Sequence, residues 1–184
     1  NAVRYDSPTF AGFSASASWG DDDAWDVGIR YAGELHGFKL AATAVYAEAT
    51  DGSVFDAGWG DSEYFQAGAY LQHIGTGLFG LVNYGNIESD VFDEADIWYF
   101  KAGLRRNWNH LGATVLYGEY MTSESYITDG DFEWWGLGAV QEIDNAAMSM
   151  FLKYRQYSLD GNDGACAVGC EDFDEVTFGA LINF

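Results

Sequence analysis

The stretch WDVGIRYAGELHGFKLAATAVYAE, residues 25–48, decides the fold. On a two-residue pleat Trp25, Val27, Ile29, Tyr31 and Leu35 fall on one face, while Asp26, Arg30 and Glu34 fall on the other. That is the period of a strand with two different environments, not the 3.6-residue period of a helix. His36-Gly37 interrupts the run and residues 37–48 resume it, so the stretch reads as two strands joined by a tight turn. Segments of the same kind lie at roughly 10–19, 25–35, 37–48, 63–73, 77–87, 97–107, 110–120, 132–142, 146–157 and 174–184. In the last of them Val176, Phe178, Ala180, Ile182 and Phe184 alternate with Glu175, Thr177, Gly179 and Asn183. The segment at 77–87 leaves open which of its faces is apolar.

The connections alternate in length. Short ones lie at His36-Gly37, Gly75-Thr76, Trp108-Asn109 and Asp144-Asn145, and longer acidic ones fill 49–62, 88–96, 121–131 and 158–173, with 20–24 a shorter member of that set. An up-and-down sheet therefore carries its long connections at one end and its tight turns at the other. The chain of 184 residues has 8 Lys+Arg against 29 Asp+Glu, a net charge of −21, which excludes a nucleic-acid partner. Of the acids only Asp6, Glu34, Glu142 and Asp144 lie away from the long connections, so one rim is strongly acidic. The 17% aromatic content excludes a disordered acidic chain, and 23 Gly argues against a helical bundle. No run approaches the ~18 apolar residues of a membrane-spanning helix, and residues 1–20 lack the basic start and apolar run of a signal peptide. If the chain meets a membrane, it does so as a barrel.

The two faces then need environments. The polar face is rich in Gly, Ser, Thr and Gln with a few bases, not in the long charged side chains that face bulk water. The apolar face places Trp19, Trp25, Tyr46, Trp98, Tyr117 and Trp135 near the long-connection end, and Leu35, Phe38 and Phe184 near the other. Aromatics at two depths suit the two interfaces of a bilayer better than the core of a soluble sandwich. The fold class is all-β, a transmembrane antiparallel up-and-down β-barrel.

The stretch NAVRYDSPTFAGFSASASW resembles the segment that follows the constriction loop in the trimeric general porins of Gram-negative outer membranes. VTFGALINF is similar to their terminal strand, closing on Phe184, the residue that outer-membrane assembly machinery reads in such proteins. IRYAGELHGFKLAATAVYA resembles a second turn of the same kind, and the echo of VRY to GF in IRY to GF makes residues 1–7 a further strand. The resemblance implies an outer-membrane channel for passive diffusion of small hydrophilic solutes and ions, a homotrimer, and contact with outer-membrane lipid and lipopolysaccharide. It also implies a single barrel domain over residues 1–184 that forms about two-thirds of a sixteen-strand porin, with about five upstream strands and the constriction loop absent. The alternative is that residues 1–7 do not span and the other ten strands close as a complete small barrel of structural or adhesive role.

Arg4, Arg30, Lys39, Lys101, Arg105, Lys153 and Arg155 fall on the polar face by parity. A charge on the lipid face near the midplane costs ~2–4 kcal/mol, so these bases are pore-lining candidates. The resemblance implies that such a ladder faces acids on the constriction loop and sets ion preference; salt bridges along the wall are the plainer use. Cys166 and Cys170 lie together in the last long connection and are expected to form a disulfide. His36, His73 and His110 lie at the opposite end, which argues against zinc there. Asp160, Asp163 and Glu171 partly match a calcium loop, but Gly164 and Ala165 stand where a ligand and the turn glycine belong. Loose association of Ca²⁺ or Mg²⁺ with acidic connections, Asp21, Asp22 and Asp23 included, is expected, and no cofactor.

Gly75 to Gly80 spells G-x-G-x-x-G, but the residues after it alternate as a strand, whereas a dinucleotide site needs a helix there. No nucleophile stands beside a base and the acidic rim has no His, so an enzyme is not expected. A specific sugar channel would need a slide of inward aromatics, for which Tyr64, Tyr70, Tyr99, Trp134 and Tyr157 are the candidates.

Overall fold

The turn between the two strands of residues 25–48 holds His36 at φ 49° and Gly37 at φ 84°, with Leu35 paired to Phe38. Positive φ at both central residues is the two-residue hairpin turn whose twist matches that of the strands, and glycine adopts it without a Cβ penalty. Ala11 and Gly12 repeat it at φ 49° and 87°, bringing Phe10 against Phe13. The echo between the two GF sequences is thus a repeated turn geometry.

A computed structural model describes residues 1–20, 23–50, 60–90, 94–125, 130–160 and 171–183. Cys166, Cys170, Phe184, Asp21, Asp22 and most of the calcium-like stretch lie outside the described residues. Eleven strands run in chain order: β1 (Ala2–Asp6), β2 (Phe13–Gly20), β3 (Trp25–Leu35), β4 (Phe38–Ala49), β5 (Ser62–His73), β6 (Leu78–Ser89), β7 (Ala95–Asn109), β8 (Gly112–Ser125), β9 (Gly130–Ile143), β10 (Met148–Asp160) and β11 (Phe173–Ile182). They form one antiparallel up-and-down sheet in which each strand pairs with its chain neighbours. β1 and β11 are its two edges and do not pair with each other among the described residues. Residues 2–6 pair with β2 over five positions, and β2 pairs onward with β3, not with β11. The small ten-strand barrel closing on itself is therefore not the arrangement found.

Expectations about strand extent need correction at three connections: the tight one expected at Trp108-Asn109 falls at His110-Leu111, because β7 runs on to Asn109. The connection placed at 121–131 is largely strand, since β8 and β9 stay in register to the pair Ser125 and Gly130. The one placed at 88–96 shortens at both ends, to 90–94. Hydrophobic alternation reports only the length of strand whose one face meets an apolar medium. Backbone pairing needs no such medium and continues into water as a polar hairpin.

The apolar face has no second layer. Among the described residues the buried apolar side chains are only Ala49, Ala95, Ala113 and Trp134, while on interior strands Leu137 is 58% exposed and Ile29 52%. A soluble sandwich would cover such side chains at ~1.5–3 kcal/mol each, so the surface is built for contact with lipid or another protein.

On this face four acids are each met by a tyrosine from the neighbouring strand. Tyr46 donates to Glu63 at 2.8 Å, Tyr84 to Asp96 at 2.6 Å, Tyr120 to Glu133 at 2.7 Å and Tyr154 to Asp174 at 2.7 Å. In every case the tyrosine lies on the strand entering a long connection, and the acid lies two register positions closer to that connection on the strand leaving it. This belt marks the level where the apolar surface ends, with the phenol bodies toward lipid and the hydroxyls toward water. Tyr117, expected among these outward aromatics, faces the other way. It shares its register row with Lys153 and Gly103 on the polar face.

Candidate functional site

Residues directly opposite each other on neighbouring strands share a face, so the register fixes who meets whom on the polar side. One row crosses β7 to β11 as Lys101, Glu119, Gly136, Arg155 and Glu175. The Glu119 side chain is 1% exposed and sits between two bases, 3.1 Å from Lys101 Nζ and 2.8 Å from Arg155 Nε. The Tyr99 hydroxyl donates to it at 2.7 Å. Lys101 lies 4.3 Å from the centre of the Tyr117 ring, and the Arg155 guanidinium lies 4.0 Å from that of Trp134.

Arg155 and Glu119 are on β10 and β8, two strands apart, and Gly136 of β9 is the reason they meet. A Cβ there would come within 2.7 Å of the Tyr154 carbonyl, 2.9 Å of Arg155 Cγ and 3.4 Å of Glu119 Cγ. The missing side chain opens the path along which the guanidinium reaches across.

The other candidates are placed one by one. Arg105 makes a two-pronged ion pair with Glu142. Lys39 lies 3.5 Å from Glu34, and Arg4 lies 2.9 Å from Asp6. Arg30 donates to Ser16 at 3.1 Å. Among the described residues neither Arg30 nor Lys153 has a carboxylate within 4.0 Å. All seven bases share the polar face, but only Lys101 and Arg155 are drawn together.

Glu119 escaped the sequence reading because it lies beside the 121–131 connection and was grouped with the acidic rim. Its parity was the available signal: Gly118 and Tyr120 point to the apolar face, so Glu119 points to the bases. Glu142 shows the same logic, on the face of Gly136 and Gly138.

Of the inward aromatic candidates, Tyr99, Trp134 and Tyr157 fall in one arc, while Tyr64 and Tyr70 lie apart from it on β5. Tyr99, Met121, Trp134, Tyr157 and Phe173 make one register row across β7 to β11, one level nearer the long connections than the Glu119 row. Tyr99 and Trp134 are 5.8 Å apart, Trp134 and Tyr157 6.1 Å, and Tyr157 and Phe173 5.7 Å between ring centres. A slide that passes a sugar along a channel runs parallel to the strands, and this row runs across them. Gly75 to Gly80 form the β5–β6 turn and the start of β6, with no helix following. Among the described residues no group of three or more His, Cys, Asp or Glu could hold a metal ion.

The arrangement is a wall with fixed charges, rings and small residues on one side and a continuous apolar surface on the other. A family model described as Gram-negative porin matches residues 1–162. No curated protein sequence matches the chain. Among solved structures, the anion-selective porin from Comamonas acidovorans is similar in fold, with a TM-score of 0.60 at 14% identity. The match covers 89% of this chain and 50% of that one, so the chain spans about half the length of that porin.

Proposed function

The chain belongs to the Gram-negative porins, proteins of the outer membrane, and from that membership we propose that it forms much of the wall of a water-filled pore for passive diffusion of small hydrophilic solutes and ions. The observation that carries this reading is the division of charge between faces. Arg4, Arg30, Lys39, Lys101, Arg105, Lys153 and Arg155 share one face of the sheet. The opposite face is apolar between its belt of tyrosines and its tight turns. Charged groups on one side and bare Leu, Val and Phe on the other suit water and lipid respectively. Reconstituted into planar bilayers, the protein is expected to give discrete conductance steps that rise with salt concentration. Absence of steps from protein shown to be folded and inserted would sink the reading.

Two edge strands that each pair on one side only among the described residues, and a match to half of a solved porin, support a larger barrel. On this proposal residues 1–184 are the carboxyl-terminal part of a sixteen-strand porin, and about five further strands bridge β11 back to β1. The outer belt of Tyr46, Tyr84, Tyr120 and Tyr154 sits at the lipopolysaccharide headgroups, where divalent cations bridge rim acids to lipid phosphates.

The resemblance to general porins supplies a trimer, and β10 and β11 supply a compatible surface. Phe178, Ile182, Met150 and Leu152 project there with Ala180, and none is charged. Lipid is as apolar as these side chains, so shape and not dehydration must hold the subunits together. Ala180→Trp is expected to convert the trimer to monomers in native mass spectrometry from mild detergent, with single-barrel conductance retained. A variant trimer as persistent as wild type would place the interface elsewhere.

A further inference from the structure

At the long-connection end of β9, β10 and β11, above the Glu119 row, the polar face holds a cleft of about 580 Å³. Phe132, Tyr157 and Phe173 contribute rings to it, and Glu171 and Glu175 contribute carboxylates. The rings are nearly parallel: Tyr157 lies 6.1 Å from Phe132 at 15° and 5.7 Å from Phe173 at 28°. Phe173, on the edge strand β11, ends the arc.

The polar chemistry of this cleft is one-sided. The Tyr157 hydroxyl is already given to Glu175 at 2.7 Å, and Thr177 gives its hydroxyl to the other oxygen at 2.6 Å. Ser158, also at the cleft, belongs by parity to the opposite face. Arg155, the nearest base of the row below, is held by Glu119 and lies over Trp134. Among the described residues, the side chains lining the cleft therefore offer a visitor ring faces and carboxylate oxygens, and none of them has a hydroxyl left to give on this face. A neutral sugar needs donors as well as acceptors from its site, and an anion is repelled by Glu171 and Glu175. A group with a positive charge, N–H or polarised C–H donors and an apolar body satisfies both features, since ring faces and carboxylates each attract cations.

We propose that this cleft is a binding subsite for small organic ammonium solutes at the long-connection mouth of the pore. The inference rests on the polar face being the channel side. The net charge of −21 raises the local concentration of such cations at the mouth, and the aromatic arc then holds those with an apolar body longer than it holds inorganic cations.

Saturation-transfer NMR on the detergent-solubilised protein, with choline as the probe, tests it. Choline is expected to bind saturably at low salt, and its neutral isostere 3,3-dimethylbutan-1-ol at least tenfold more weakly. Phe173→Ala and Glu175→Gln are each expected to weaken choline at least fivefold; if the first fails to fold, the second carries the test alone. Equal binding of choline and its isostere, unchanged affinity in Glu175→Gln, or tighter binding of maltose than of choline would each overturn the proposal. Conductance of the same preparation separates the two readings. Protein that conducts without binding choline loses the subsite, whereas protein that binds choline without conducting keeps the subsite and loses the pore.

Discussion

Replacing Glu119 with alanine is expected to produce the largest loss of stability of any single substitution in the wall. The carboxylate is shielded from solvent to 1% and holds Lys101, Arg155 and the Tyr99 hydroxyl at once. Removing it leaves two positive groups facing each other across the vacated position, each with its counter-ion gone. Breaking one side of a buried pair costs about 3–5 kcal/mol. Lys101 and Arg155 keep 28% and 23% exposure and so recover part of their hydration, which places the loss toward the lower end of that range. Glu119→Gln keeps an acceptor for Tyr99 and the same shape, so it should fall between wild type and alanine. Urea unfolding of the refolded protein in detergent, followed by tryptophan fluorescence, reads the difference directly because Trp134 packs under Arg155. An alanine variant within about 0.5 kcal/mol of wild type, the ordinary range of surface substitutions, would show that the cluster is decoration.

The contrast between what the residues foretold and what they did not has a physical basis. Strand positions were legible because lipid imposes a strict two-residue alternation, and β3 runs from Trp25 to Leu35 as its pattern requires. Turns were legible for a related reason: His36-Gly37 must take positive φ to keep Leu35 opposite Phe38. The polar face obeys a weaker rule. Water tolerates Lys153 as readily as Thr177 there, so nothing in the local pattern says which base meets which acid. Partners on that face are set by register across strands far apart in the chain, as with Arg105 and Glu142, 37 residues distant. Tyr117 was misplaced for a similar reason. A tyrosine near a strand end fits the lipid interface or the lumen equally well, and only the row containing Lys153 and Gly103 decides it.

Charge reversal at Arg30 and Lys153 is expected to have the largest effect on ion preference. A base paired with an acid contributes a dipole whose field falls off quickly, whereas an unpaired base acts as a monopole on every ion that passes. Arg30 and Lys153 are the two polar-face bases without a carboxylate within 4.0 Å among the described residues. Arg30→Glu with Lys153→Glu should therefore move the zero-current potential in a salt gradient strongly toward cation selectivity. The shift should be large at 0.1 M salt, where the screening length is about 10 Å, and small at 1 M, where it is about 3 Å. The control is chosen to remove charges without changing their sum. Arg105→Gln combined with Glu142→Gln deletes the two-pronged pair at constant net charge, and its zero-current potential should stay near that of wild type. If the neutral pair deletion shifts selectivity as much as the double reversal does, local dipoles and not unpaired bases govern the passing ions, and the distinction between Arg30 and Arg105 falls.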